Sequence, residues 1–254
     1  MRQRAAYSQV FLKNQEYIDK VISHIDCEGK KTVEIGSGDG RLSAILAKKT
    51  KFLYCIEIDP RLALFSQAAL SSLQNTKVVN SDFRDISLTS FGQGLILFSS
   101  APYYLSSKLI EYLIDQRKAL DTVYLILQKE FALKLAALPG DKAYGLIGCL
   151  IQYYAKVNCF FTIPPTAFKP RPKVSSIFLE ISFKEKMPYR AKNEGRLIEV
   201  IRLSFRQRRK KINTILKKHF SEKCFDLLFE SGLNPNKRPE ELSIKEFCQI
   251  SNYL

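Results

Sequence analysis

The chain has 254 residues, is 46% hydrophobic and carries a formal net charge of +15. That length holds one large domain or a large and a small one, with enough apolar residues for a real core. No apolar run approaches the roughly eighteen residues of a membrane span, and no apolar region follows the charged start Met1-Arg2-Gln3-Arg4, so the chain is expected in the cytoplasm, without anchor or signal peptide.

The first clear element is a helical pattern over 15–25, with Ile18, Val21, Ile22 and Ile25 on one face. Next comes Thr32-Val33-Glu34-Ile35-Gly36-Ser37-Gly38-Asp39-Gly40-Arg41-Leu42, a short apolar strand running through three alternating glycines into a helix over 41–49. In a parallel α/β sheet such a turn lies at the carboxyl end of its strand, where ligands bind. Dinucleotide folds use G-x-G-x-x-G, and here the sixth position counted from Gly36 is Arg41. The G-x-G-x-G spacing suits S-adenosylmethionine better, because that cofactor has no pyrophosphate to seat on the helix.

A second strand over 52–58 ends in Glu57-Ile58-Asp59, the expected place for an acid that accepts from ribose hydroxyls. A tight turn with a solvated acid nearby is the plainer reading; the turn and the correctly spaced acid together favour a nucleoside cofactor. A helix over 61–73 places Leu62, Phe65, Ala69 and Leu73 inward. A third strand over 76–79 leads to Asp82, placed either to accept from an adenine amino group or to cap a turn. A fourth, over 94–98, ends in Ser99-Ser100-Ala101-Pro102-Tyr103-Tyr104.

That last turn would suit methylation of an amine. The exocyclic nitrogen of adenine is a poor nucleophile because its lone pair is delocalised into the ring. Acceptors on both amino hydrogens, the Ser100 side chain and a backbone carbonyl beside Pro102, would favour a pyramidal nitrogen, and Tyr103 would stack on the base. A chance strand-end turn has the same composition.

Helices over 105–116, 131–138 and 144–155 and a fifth strand over 122–127 follow, then strands over 159–163 and 176–183 that could form an antiparallel edge pair. Strands alternating with helices imply an α/β fold with a mostly parallel sheet. The segment 184–190, with Pro188, is the expected boundary, giving domains over 1–186 and 187–254. Beyond it the pattern is helical, with Ile198, Ile201, Phe205, Ile212 and Leu216 on one face and Arg202, Arg206 and Arg209 on another. Residues 184–254 hold 17 basic and 9 acidic side chains, a density of positive charge that points to nucleic acid or else to a solvated surface. Six scattered cysteines (Cys27, Cys55, Cys149, Cys159, Cys224 and Cys248) without a C-x-x-C pair, and two isolated histidines, His24 and His219, support neither a metal site nor a disulfide framework.

Taken together, the motifs resemble the small-subunit ribosomal RNA adenine dimethyltransferases (the KsgA family) over nearly the whole chain. The matching segments are Ser8-Gln9-Val10-Phe11-Leu12, the glycine turn, Glu57-Ile58-Asp59, Asp82, Ala101-Pro102-Tyr103, Gln128-Lys129-Glu130 and 139–145. More specific still are Pro164-Pro165-Thr166-Ala167-Phe168-Lys169-Pro170-Arg171-Pro172, Phe205-Arg206-Gln207-Arg208-Arg209-Lys210 and Arg238-Pro239-Glu240-Glu241-Leu242-Ser243. The resemblance implies a class I S-adenosylmethionine-dependent methyltransferase: a Rossmann-like, mostly parallel seven-stranded sheet with a small all-helical C-terminal domain. It implies dimethylation of two adjacent adenosines near the 3′ end of small-subunit rRNA, by a monomer acting on immature subunits.

Carried over residue by residue, the resemblance assigns the cofactor to Leu12, Gly36, Glu57 and Asp82, and Val10, Gly38 and Ser100 are expected beside them in the same site. It assigns catalysis to Ser100, Pro102, Tyr103 and Phe168, with Phe168 on the far side of the target base from Tyr103. RNA falls to Arg202, Arg206, Arg208, Arg209 and Lys210. Two positions depart from the family: Val10 and Ser100 stand where asparagine is usual. Those departures motivate a second reading, an rRNA-binding assembly factor with weak or lost catalysis. A third, the large-subunit rRNA methylases of antibiotic resistance, is disfavoured by Tyr144-Gly145 and by Gln207-Arg208-Arg209-Lys210.

Overall fold

A computed structural model describes residues 10–100, 102–183, 189–220 and 232–254. Ser8, Gln9, Ala101, Cys224 and most of the expected boundary segment lie outside the described residues. The strands, in chain order, are β1 (Phe11–Leu12), β2 (Lys31–Ile35), β3 (Phe52–Glu57), β4 (Thr76–Asn80), β5 (Leu95–Ser99), β6 (Leu120–Gln128), β7 (Ala155–Ile163), β8 (Phe168–Lys169) and β9 (Ser176–Phe183). The helices are α1 (Gln15–His24), α2 (Arg41–Ala47), α3 (Pro60–Leu70), α4 (Ser106–Asp115), α5 (Lys129–Ala136), α6 (Leu146–Tyr154), α7 (Glu194–Arg206), α8 (Ile212–His219) and α9 (Ile244–Tyr253).

Seven strands form one sheet in the order β4-β3-β2-β5-β6-β9-β7. From β4 to β6 every pairing is parallel, and β9 runs antiparallel to β6. Strand β5, Leu-Ile-Leu-Phe-Ser, is buried along its whole length, as an apolar run at the centre of a parallel sheet must be. The order reverses between β2 and β5, and a crevice opens there at the strands' carboxyl ends. A separate two-stranded sheet pairs β1 with β8, Leu12 opposite Phe168. This pairing was not foreseen from the sequence.

Local chemistry sets the helix starts. Asn14 caps α1 by accepting from the Tyr17 amide, and Ile18, Val21 and Ile22 are buried as expected. Asp59 caps α3 ahead of Pro60, whose missing N–H costs nothing at a first helical position. The inward face expected for α3 is a correction. Its buried residues are Ala63, Ser66 and Leu70, while Phe65 is 62% exposed and Leu64 65%. Helix α3 meets the glycine turn at close range: a Cβ on Gly40 would stand 3.0 Å from Ser66 Cα and 3.0 Å from Ala69 Cβ. Bulk at Ser66 would push that turn away.

The chain divides into two compact units, residues 1–132 with 156–183, and residues 133–155 with 184–254. The second unit therefore takes in α6, which the sequence assigned to the first domain by its position before 186. Within this unit Tyr144 is fully buried with its ring edge-on to Phe205, and Phe205 lies against Phe247 of α9. A capping box of Ser243 and Glu246 starts α9. The basic-apolar helix expected to run through Leu216 is broken: α7 ends at Arg206 and α8 starts at Ile212, so Ile212 and Leu216 belong to a different helix from Ile201. On α7 the buried set is Leu197, Val200, Ile201 and Ser204, with Ile198 only half-buried.

Candidate active site

The glycine turn joining β2 to α2 forms the floor of the site. Gly38 has φ +58°, and a Cβ there would lie 2.7 Å from the Phe11 ring. Only glycine lets β1 lie across the turn that closely. Lys13, just after β1, reaches the turn from the same side, its Nζ 2.5 Å from Asp39 Oδ2. Ser66 of α3 donates to the Gly38 carbonyl and shares a hydrogen bond with Ser37.

Glu57, at the end of β3, is 3% exposed. Its Oε2 accepts from the Gly38 amide at 2.9 Å and its Oε1 from the Asp59 amide at 3.0 Å. Burial pushes its carboxyl above the ordinary glutamate value, and the two amide donors pull the other way. Each oxygen keeps a further lone pair for a ligand hydroxyl. Glu34 on β2 is a second buried carboxyl. Burial pushes it up to about 7, opposed by the Ser43 hydroxyl, while the charge of Glu57 adds to the rise.

Asp82 follows β4 and caps a short 3₁₀ turn, accepting from the Arg84 amide at 3.0 Å. The Arg84 side chain also grips the carboxylate, with Nη2 2.6 Å from Oδ2 and Nε 3.0 Å from Oδ1. That guanidinium holds Asp82 below the usual carboxylate range. The two alternatives for Asp82, cap or ligand acceptor, are thus not exclusive. It caps with one lone pair and has others.

These elements enclose a cavity of about 290 Å³, near the lower end of the roughly 300–1,000 Å³ typical of small-molecule sites. Eight positions singled out in the sequence line it: Val10, Leu12, Gly36, Gly38, Glu57, Asp82, Ser100 and Pro102. Two do not. Tyr103 is half-buried beside it, its hydroxyl 2.7 Å from Ser176 Oγ, and burial raises its pKa. Phe168 is only 5% exposed and packs in the core with Ile18 and Phe178, so here it presents almost no surface to a base. Its pairing with Leu12 through β8 explains the burial.

Sequence reasoning missed Glu34, Arg84, Tyr104 and Lys108, all of which line the cavity. Tyr104 is 55% exposed. An acid inside the apolar run Val33-Glu34-Ile35 and an arginine two residues beyond Asp82 were the available signals. Among the described residues no group of three or more His, Cys, Asp and Glu side chains is arranged to hold a metal ion. No helix among them is long and apolar enough to cross a membrane.

In the second unit, Arg202, Arg206, Arg209 and Lys210 are exposed. Arg208 is not one of this set. It is half-buried, paired with Glu240, and its Nη2 donates to the Lys142 carbonyl at 2.9 Å. These partners tie Arg208 to neighbours within its own unit, with its side chain still 40% exposed.

A family profile described as ribosomal RNA adenine dimethylase matches residues 1–254. The chain belongs to this family. As a member of the adenine dimethylase family it is an enzyme, a methyltransferase of ribosomal RNA adenine, and its sheet is that of the Rossmann-like class I methyltransferases. Among its relatives is a ribosomal RNA small subunit methyltransferase A from Bacillus mycoides, 31% identical over 99% of this chain and 91% of that one. Another of the same name, from Halothermothrix orenii, is 31% identical over 97% of this chain and 86% of that one. Among solved structures, a dimethyladenosine transferase from Plasmodium falciparum superposes with a TM-score of 0.83 at 25% identity, covering 94% of this chain and 95% of that one. The 23S rRNA methyltransferase ErmE superposes at 0.77 with 21% identity, covering 96% and 99%, a likeness of fold alone.

Proposed function

We propose that this adenine dimethylase uses S-adenosylmethionine to dimethylate two adjacent adenosines near the 3′ end of small-subunit rRNA. The observation that carries the reading is the lining of one cavity by Gly38, Glu57, Asp82 and Ser100, from four strand ends. The residues suit a nucleoside cofactor. A buried acceptor at Glu57 answers ribose hydroxyls, an ionised Asp82 answers an adenine amine, and the Gly38 turn has no Cβ in the way. Bound there, the cofactor would supply an electrophilic methyl group.

The chain's own residues then work by positioning. The Ser100 hydroxyl accepts from one hydrogen of the target amine, and a carbonyl beside Pro102 accepts from the other. That pairing draws the nitrogen towards a pyramidal shape and aims its lone pair. Tyr103, anchored at its hydroxyl by Ser176, offers its ring to the base at the cavity's edge. The base has to leave its stack to arrive there. The names of the two bacterial relatives support the small subunit as partner.

The test is to incubate the protein with labelled cofactor and undermethylated small subunits, then map the modified nucleotides. Label in two adjacent adenosines near the 3′ end is expected. Label only in large-subunit RNA, or none, overturns the reading. In the same assay Ser100→Ala is expected to slow transfer roughly tenfold, about 1.4 kcal/mol, while Ser100→Asn keeps or raises the rate. A serine hydroxyl has a shorter reach than an asparagine amide oxygen, so equal rates for all three proteins would remove Ser100 from the amine.

The second unit is the proposed RNA-holding surface. Changing Arg202, Arg206 and Arg209 together to Ala is expected to weaken RNA binding and to reduce the salt slope by about 0.7–0.9 for each phosphate no longer neutralised. The fold is expected to survive, since Leu197, Val200 and Ile201 are untouched. An unchanged slope in a filter-binding titration would mean these charges are only solvated.

A further inference from the structure

We infer that Arg84 is a positioning residue for the cofactor's adenine, fixing the Asp82 carboxylate so that one acceptor direction remains for the 6-amino group. The inference rests on the cofactor reading above.

A carboxylate offers about four lone-pair sites. Asp82 Oδ1 receives the Arg84 amide at 3.0 Å and Nε at 3.0 Å. Its Oδ2 receives Nη2 at 2.6 Å, with Nε again at 3.1 Å. These four contacts come from only three N–H donors of one residue, because Nε–H is shared between the two oxygens. Three donors against about four lone-pair sites leave one acceptor direction, on Oδ2, where the shared Nε–H is the weaker claimant. Capping alone does not call for arginine here, because the backbone amide of residue 84 does the capping whatever its side chain. Stability does not call for it either. The Arg84 side chain is 48% exposed, and ion pairs of that exposure contribute little to stability. What the fork supplies is orientation, since two parallel N–H donors fix the plane of the carboxylate. Both residues line the cavity, and Lys108, also in the lining, adds a further positive charge that favours an ionised Asp82. An ionised acceptor held in one plane distinguishes an amino group from a hydrogen at the same ring position.

The test is calorimetric and needs no turnover. Wild type, Arg84→Ala and Arg84→Lys are titrated with S-adenosylhomocysteine and with its analogue carrying hydrogen in place of the 6-amino group. Wild type is expected to prefer the amino form by roughly tenfold, the scale of one charge-assisted hydrogen bond. For Arg84→Ala the preference is expected to fall to about threefold or less, through weaker binding of the amino form alone, with Arg84→Lys between the two. Thermal melts of the variants check that the fold is kept. If Arg84→Ala binds the amino form more tightly, Arg84 competes for Asp82 and the inference fails. It fails equally if the variant keeps the wild-type preference, if it loses affinity for both ligands alike, or if wild type binds both equally. Wild type that binds neither ligand refutes the cofactor reading instead.

Discussion

Glu57→Ala is expected to lower affinity for S-adenosylhomocysteine by on the order of 1–3 kcal/mol and to weaken the fold as well. The first effect is the loss of a charged acceptor for ribose hydroxyls. The second follows from the acid's position. Glu57 is 3% exposed and accepts from the amides of Gly38 and Asp59, which alanine would leave without that acceptor. A buried donor without a partner costs about 1–3 kcal/mol. Calorimetry reads the affinity, and urea melts read the stability. Unchanged affinity in a protein that still folds would exclude Glu57 from the site, whereas unchanged stability would show that the glycine turn does not depend on it.

A change of similar size but opposite sign is expected at Glu34. Its carboxyl is 2% exposed, and burial raises its pKa from 4.5 to about 7. Below the unfolded value both states hold the proton and this group adds no pH dependence. As pH rises from about 4.5, the unfolded chain releases the proton while the folded protein retains it, so stability falls until the folded group ionises near 7. A shift of that size corresponds to about 3 kcal/mol. Glu34→Gln keeps the shape and removes the titration. Its stability relative to wild type is expected to rise by roughly that amount between about pH 4.5 and pH 8. Burial also raises Glu57, but Glu57 is present in both proteins and largely cancels in the comparison. A difference between the two proteins that stays constant with pH would show that Glu34 ionises normally.

Most of the sheet, and most of the cavity wall, could be read from the chain. Strand ends carry polar residues after apolar runs, and three alternating glycines before a helical pattern mark a turn that a ligand can approach, so Gly38 and Glu57 fell within reach of spacing, whereas Asp82 and Ser100 took the family resemblance as well. Helix α3 was misread because periodicity counts apolar residues, while its closest approach is to a backbone turn. There small size decides, and Ser66 is buried where Phe65 is not. Glu34 escaped notice because an acid inside a buried strand looks like a break in the pattern. The ion pair of Arg208 with Glu240 was hidden by a sequence separation of 32 positions. The break between α7 and α8 carries neither proline nor glycine, since 207–211 is Gln-Arg-Arg-Lys-Lys. Helix α6 reads as a core helix in either unit, and only its tertiary partners assign it.

The strap made by β1 also sets an order of events. Val10, Phe11 and Leu12 wall the cavity, yet β1 is paired with Phe168 and Lys169, more than half the chain away. During synthesis the glycine turn, Glu57 and Asp82 all emerge long before that partner does. A nascent chain stopped short of residue 168 thus has the acids and the turn but lacks the pairing that fastens the wall beside them. Closing so long a loop is entropically slow. The wall of the proposed cofactor cavity is therefore fastened only after residues 168 and 169 have been made.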